Sequence, residues 1–125
     1  MDKVWKIGSR WSEFGTWDSR IITVFRRSNV VFVGGDSAAR FKSEVTIGDY
    51  FAIADGLTIV AVARAISEVY PLSELIANGT IKVRDDEPFD LSWNFDECYG
   101  VKVKIVDLPA SEQLYYPKRG TFFSA

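Results

Sequence analysis

Arg10, Trp11, Phe14 and Trp17 fall within eight positions, accompanied by Ser9 and Ser12, and this set has the chemistry to hold a flat ligand. Aromatic faces stack on an unpaired base for about 1 to 3 kcal/mol each, while arginine and serine satisfy polar edges or phosphate. Taken singly, Trp11 or Trp17 reads better as packing, a large aromatic closing a barrel end and covering a helix. The combination with Arg10 is what makes a candidate site. A second aromatic and basic group, Tyr115, Tyr116, Lys118 and Arg119, lies near the other end of the sequence, and Arg20 adds a further cation. If the fold brings the two groups together, they frame one groove.

Catalytic chemistry has fewer candidates. The chain has no histidine, which removes the commonest general base and the commonest transition-metal ligand. Its single cysteine, Cys98, follows Asp96 and Glu97, whose charges disfavour a thiolate, so it reads as a structural or incidental thiol. Clustered carboxylates at Asp85, Asp86, Glu87 and Asp90 have the hard oxygen ligands that Mg²⁺ takes. The run also contains Pro88 and precedes Trp93, a composition more typical of a solvated loop. No catalytic residue, metal or cofactor is therefore expected. Phosphoryl chemistry on the acidic loop is the third-ranked reading.

Charge is unevenly placed although the net value is only −2. Residues 1–42 hold eight basic and four acidic side chains, residues 43–99 three and eleven, and residues 100–125 four and two. If the terminal segments approach each other, one basic face results, suited to a phosphate backbone.

These side chains need a scaffold, and 125 residues with 47% apolar content suffice for one compact domain spanning residues 1–125. The longest apolar runs are far short of the ~20 residues a membrane helix needs, and MDKVWKIG lacks a signal-peptide core. A cytoplasmic protein with no membrane partner is expected. Strands are predicted at Val4–Ile7, Val30–Val33, Ile81–Arg84 and Val101–Val106, with Leu114–Phe123 as a closing edge strand. A helix capped by Asp18 or Ser19 carries the stripe Ile21, Ile22, Val24 and Phe25 and stops at Asn29. Another starts at Pro71 and ends at Asn78-Gly79, and Ala38–Lys42 reads as a short helical turn. The centre is a hairpin, Tyr50–Ala54 against Thr58–Ala65, turning at Asp55-Gly56. The expected fold class is α+β, mainly β, a pseudobarrel of about five to seven mostly antiparallel strands with two short helices.

The stretch Phe41–Ser67, through Gly48-Asp49, Asp55-Gly56 and Thr58-Ile59-Val60-Ala61-Val62, resembles the core of PUA-like domains, the superfamily of the EVE and ASCH domains. Tyr99-Gly100-Val101-Lys102-Val103 fits the same order of elements, while the Trp-Gly-Arg-Asn-Tyr signature of typical EVE domains is missing. The resemblance implies a noncatalytic module that binds DNA or RNA, a modified base included, and is often one part of a larger system with protein partners. The Arg10–Trp17 loop would then supply the pocket. A protein-interaction or small-ligand domain using the same aromatic surface is the alternative, and oligomeric state is left open.

Overall fold

The computed structural model describes residues 3–9, 21–34, 37–82, 97–116 and 122–124. The order is β1 (Val4–Gly8), α1 (Ile22–Ser28), β2 (Val30–Val33), α2 (Ala38–Glu44), β3 (Tyr50–Asp55), β4 (Thr58–Pro71), α3 (Leu72–Ala77), β5 (Tyr99–Asp107), β6 (Leu114–Tyr115) and β7 (Phe122–Ser124). The strands form one sheet in the order β2-β5-β4-β3-β1-β7, with β6 also paired to β4. It curls into a half-barrel, so the chain is α+β and mainly β, with seven strands among the described residues. Among the described residues β1–β3 is the one parallel pair.

The β3–β4 hairpin sets the frame. Asp55 pairs with Thr58, so the turn is Gly56-Leu57 rather than Asp55-Gly56. Gly56 has φ +66°, and positive φ at the first turn position alone matches a type II′ hairpin, which favours glycine there. Val60 is the extra residue of a bulge, because Ile53 faces Ala61 while Ala54 faces Ile59. Past Ala65 the strand continues to Pro71, with a wider irregularity over Ile66–Glu68 before Val69 meets Val101. That length escapes periodicity because the irregularity breaks the alternation.

Among the described residues three α-helices form rather than two, since the turn at Ala38–Lys42 extends to Glu44 with Ala38 and Phe41 buried. α1 buries Ile22, Val24 and Phe25 and ends at Asn29, whose φ of 52° is left-handed and whose N–H donates to the Phe25 carbonyl. The expected caps Asp18 and Ser19 lie outside the described residues. Pro71 precedes α3 as its cap residue instead of opening it. Ile81 and Lys82 are not strand: the Ile81 N–H donates to the Leu75 carbonyl at 3.0 Å, and its side chain is buried in the core that α3 also joins. Burial of Ile81 thus comes from folding back on a helix, not from a sheet face. The predicted closing strand splits, Leu114–Tyr115 pairing with β4 and Phe122–Ser124 with β1.

Alternate residues of the central strands point inward. Trp5, Ile7, Phe51, Ile53, Ala61, Ala63, Ala65, Val101 and Val103 meet the apolar sides of the helices in one core. Small alanines on β4 share this core with large aromatics, among them Trp5 stacked on Phe122 (4.7 Å) and Phe25 edge-on to Phe32 (4.9 Å). Gly100 admits the closest approach, since a Cβ there would stand 3.0 Å from Leu75 Cδ1 and 3.1 Å from the Val31 carbonyl.

Candidate functional site

Two regions can engage a ligand, and a third residue cluster holds them in place. The holding cluster centres on Asp49, whose side chain is 0% exposed at the entry to β3. Its Oδ1 accepts from the Lys3 backbone N–H (3.0 Å) and Thr46 Oγ1 (3.2 Å), and its Oδ2 from Trp5 Nε1 (3.0 Å) and the Thr46 N–H (3.1 Å). Burial alone would raise this carboxyl's pKa. The donors and the Lys3 ammonium outweigh burial and hold it below the ordinary aspartate value. The Asp49 backbone continues the latch, its carbonyl accepting from the Ala65 N–H at 2.8 Å. Arg40 and Lys3 also lie over the Trp5 ring, 5.1 and 5.7 Å from its centre. Asp49 therefore ties the start of β1 to β3 and β4.

The first candidate region is the hairpin end of the sheet. Ser9 is fully buried there, its Oγ donating to the Ala54 carbonyl at 2.7 Å and its carbonyl accepting from the Ile21 N–H at 2.7 Å. On the other side of the same hairpin, Tyr115 pairs with Thr58 and the Tyr116 N–H donates to the Leu57 carbonyl. Tyr115 is 70% exposed and Leu114 is exposed beside it. So Ser9, Tyr115 and Tyr116 flank one turn with β3 and β4 between them, Ser9 anchoring backbone rather than facing solvent. Arg10, Trp11, Ser12, Phe14, Trp17, Arg20, Lys118 and Arg119 lie outside the described residues, as does the acidic run Asp85–Asp90. Cys98, half-buried, precedes β5.

The second region is the outer face of the sheet. Because alternate residues point outward, Tyr50 on β3, Arg64 on β4 and Lys104 on β5 stand side by side in register. The next row is Ala52, Val62 and Val106. Lys102 extends the basic side along β5, and the Arg64 guanidinium lies 5.4 Å from the Tyr50 ring centre. Tyr50 is 41% exposed, and Val62, Ile66 and Val106 are exposed with it. No ion pair reaches Lys102 or Lys104 among the described residues. On the β2 side the face ends at Val30, opposite Lys102 and fully buried; on β1 Lys6 is only 4% exposed, while Val4, beside Tyr50, is exposed. Burial holds the Lys6 amine below the ordinary lysine pKa.

Sequence patterning placed Lys102 and Lys104 on one strand face. It gave no sign that Tyr50 and Arg64 continue that face, because this depends on the register of three strands. Among the described residues no group of three or more acidic or cysteine side chains converges as a metal site, and no helix is long and apolar enough to cross a membrane.

No family model matches the chain, and no curated protein does. Two structural-genomics structures are similar in fold. One is a crystal structure of a Pseudomonas syringae protein, at 17% identity and a TM-score of 0.47, covering 84% of this chain and 68% of that one. The other is an NMR structure of a Rhodopseudomonas palustris protein, at 20% identity and a TM-score of 0.42, covering 84% of this chain and 61% of its own. At these values neither assigns a family or an activity.

Proposed function

We propose that the chain is a noncatalytic nucleic-acid-binding module of PUA-like type, with the outer face of β3, β4 and β5 as its described contact surface. The observation that carries this reading is the set Arg64, Lys102 and Lys104 on adjacent strands beside the exposed ring of Tyr50. Cations held on one rigid face attract a polyanion, and an adjacent aromatic gives its bases a stacking partner. The resemblance of Phe41–Ser67 to PUA-like domains supports the same reading. The exposed Val62, Ile66 and Val106 favour a second reading, a protein-interaction surface.

A panel of fluorescent DNA and RNA oligonucleotides, with and without modified bases, separates the two. The nucleic-acid reading expects saturable binding of at least one member at low salt. Absence of binding to every member by folded protein assigns the face to a protein partner instead.

A further inference from the structure

The spacing and the uneven chemistry of the outer face bear on which nucleic acid fits. Resting on the nucleic-acid reading above, we infer that this face takes single-stranded rather than duplex nucleic acid, one base lying against Tyr50 while Lys102, Lys104 and Arg64 meet its phosphates. The cations of the open surface stand on β4 and β5 beside Tyr50 on β3, and exposed Val4 on β1 extends Tyr50's row as apolar surface. Neighbouring strands lie about 4.8 Å apart, so Tyr50 and Lys104 stand roughly 10 Å apart. Lys102 and Lys104, two residues apart on β5, are separated by about 7 Å. That span suits one or two nucleotides.

Shape points the same way. The sheet curls around the core, so its outer face is convex, and a convex duplex touches it at few points. A flexible single strand follows the curve. Duplex bases are also stacked on one another and leave no face for Tyr50, whereas an unpaired base can lie on the ring. The Arg64 guanidinium already sits against that ring at 5.4 Å, a cation–π contact that helps hold it in place. The neighbouring row Ala52, Val62 and Val106 offers apolar surface to the sugar or base edge.

The test is fluorescence anisotropy with six-nucleotide single strands of DNA and RNA, a hairpin duplex of the same composition, and poly-glutamate as a competing polyanion. Wild type is compared with Tyr50→Ala, Tyr50→Phe and Tyr50→Leu, the last keeping bulk on the strand without the ring should the alanine variant fold poorly. Single strands are expected to bind at least about tenfold more tightly than the duplex. Loss of the ring is expected to weaken them about 5- to 150-fold, the range of one base–aromatic stack, with Tyr50→Phe close to wild type. Equal binding of duplex, or indifference to loss of the Tyr50 ring while oligonucleotides still bind, overturns this inference and leaves the nucleic-acid reading standing. Poly-glutamate bound as tightly as the oligonucleotides, or no binding of any probe, overturns both.

Discussion

Replacing Asp49 by alanine is expected to destabilise the fold by about 3 to 5 kcal/mol. The carboxylate is fully buried and accepts four hydrogen bonds, so truncation leaves the Trp5 indole N–H and the Thr46 and Lys3 backbone N–H groups without it. An orphaned buried donor costs about 1 to 3 kcal/mol, less where water can reach it, as at the half-buried Lys3. At roughly 3 to 6 °C per kcal/mol for a chain of this size, the melting temperature should fall by about 10 to 25 °C. Asp49→Asn is also costly, because each carboxylate oxygen accepts a backbone or indole N–H and either amide orientation turns an NH₂ toward one. Its cost should depend on pH with a defined sign. A carboxyl whose folded pKa lies below its unfolded value stabilises fully above the unfolded pKa, about 3.9, and loses that contribution as pH falls through the folded value. The stability gap between wild type and Asp49→Asn should therefore be constant near neutrality and narrow on acidification below about pH 5. Urea unfolding across pH 3 to 8 measures it. An alanine penalty under about 1 kcal/mol, or a gap that widens in acid, would refute the latch.

Gly56→Val should cost about 1 to 2 kcal/mol in urea unfolding, since a β-branched side chain at φ +66° is strained in the turn that sets the β3–β4 register; an unchanged midpoint would contradict this. Gly100→Ala should cost about 1 to 3 kcal/mol, because its methyl meets the Val31 carbonyl and Phe32 Cβ at 3.1 Å and neither can swing aside, and a neutral result in thermal melting would show that β2 and β5 yield more than their pairing implies.

Much of the framework was legible because local signals and tertiary structure agree. Asp55-Gly56 announced the hairpin to within one residue, and the two-residue period of Val101–Val106 announced β5. Asn29 announced a helix end, confirmed by its left-handed φ. What escaped depended on long-range pairing. Ile81 looks like strand by composition, yet its burial comes from α3. Asp49 stood in the sequence as half of a Gly-Asp turn signal, and nothing local shows that Trp5, 44 residues away, donates to it. By its aromatic neighbours Ser9 reads as a ligand contact, yet it is buried and its Oγ anchors β1 to Ala54. The row of Tyr50, Arg64 and Lys104 exists only once the register of β3, β4 and β5 is fixed.

The most direct test of the nucleic-acid reading is the salt dependence of binding to a short single strand, measured by anisotropy from about 50 to 200 mM salt. If Arg64, Lys102 and Lys104 each neutralise a phosphate, log affinity should fall against log salt with a slope near −2, at about 0.7 per contact. Lys102→Ser with Lys104→Ser should bring the slope to about −0.7 while leaving the melting temperature close to that of wild type. A slope near zero, or one the double lysine variant leaves unchanged, would contradict the account.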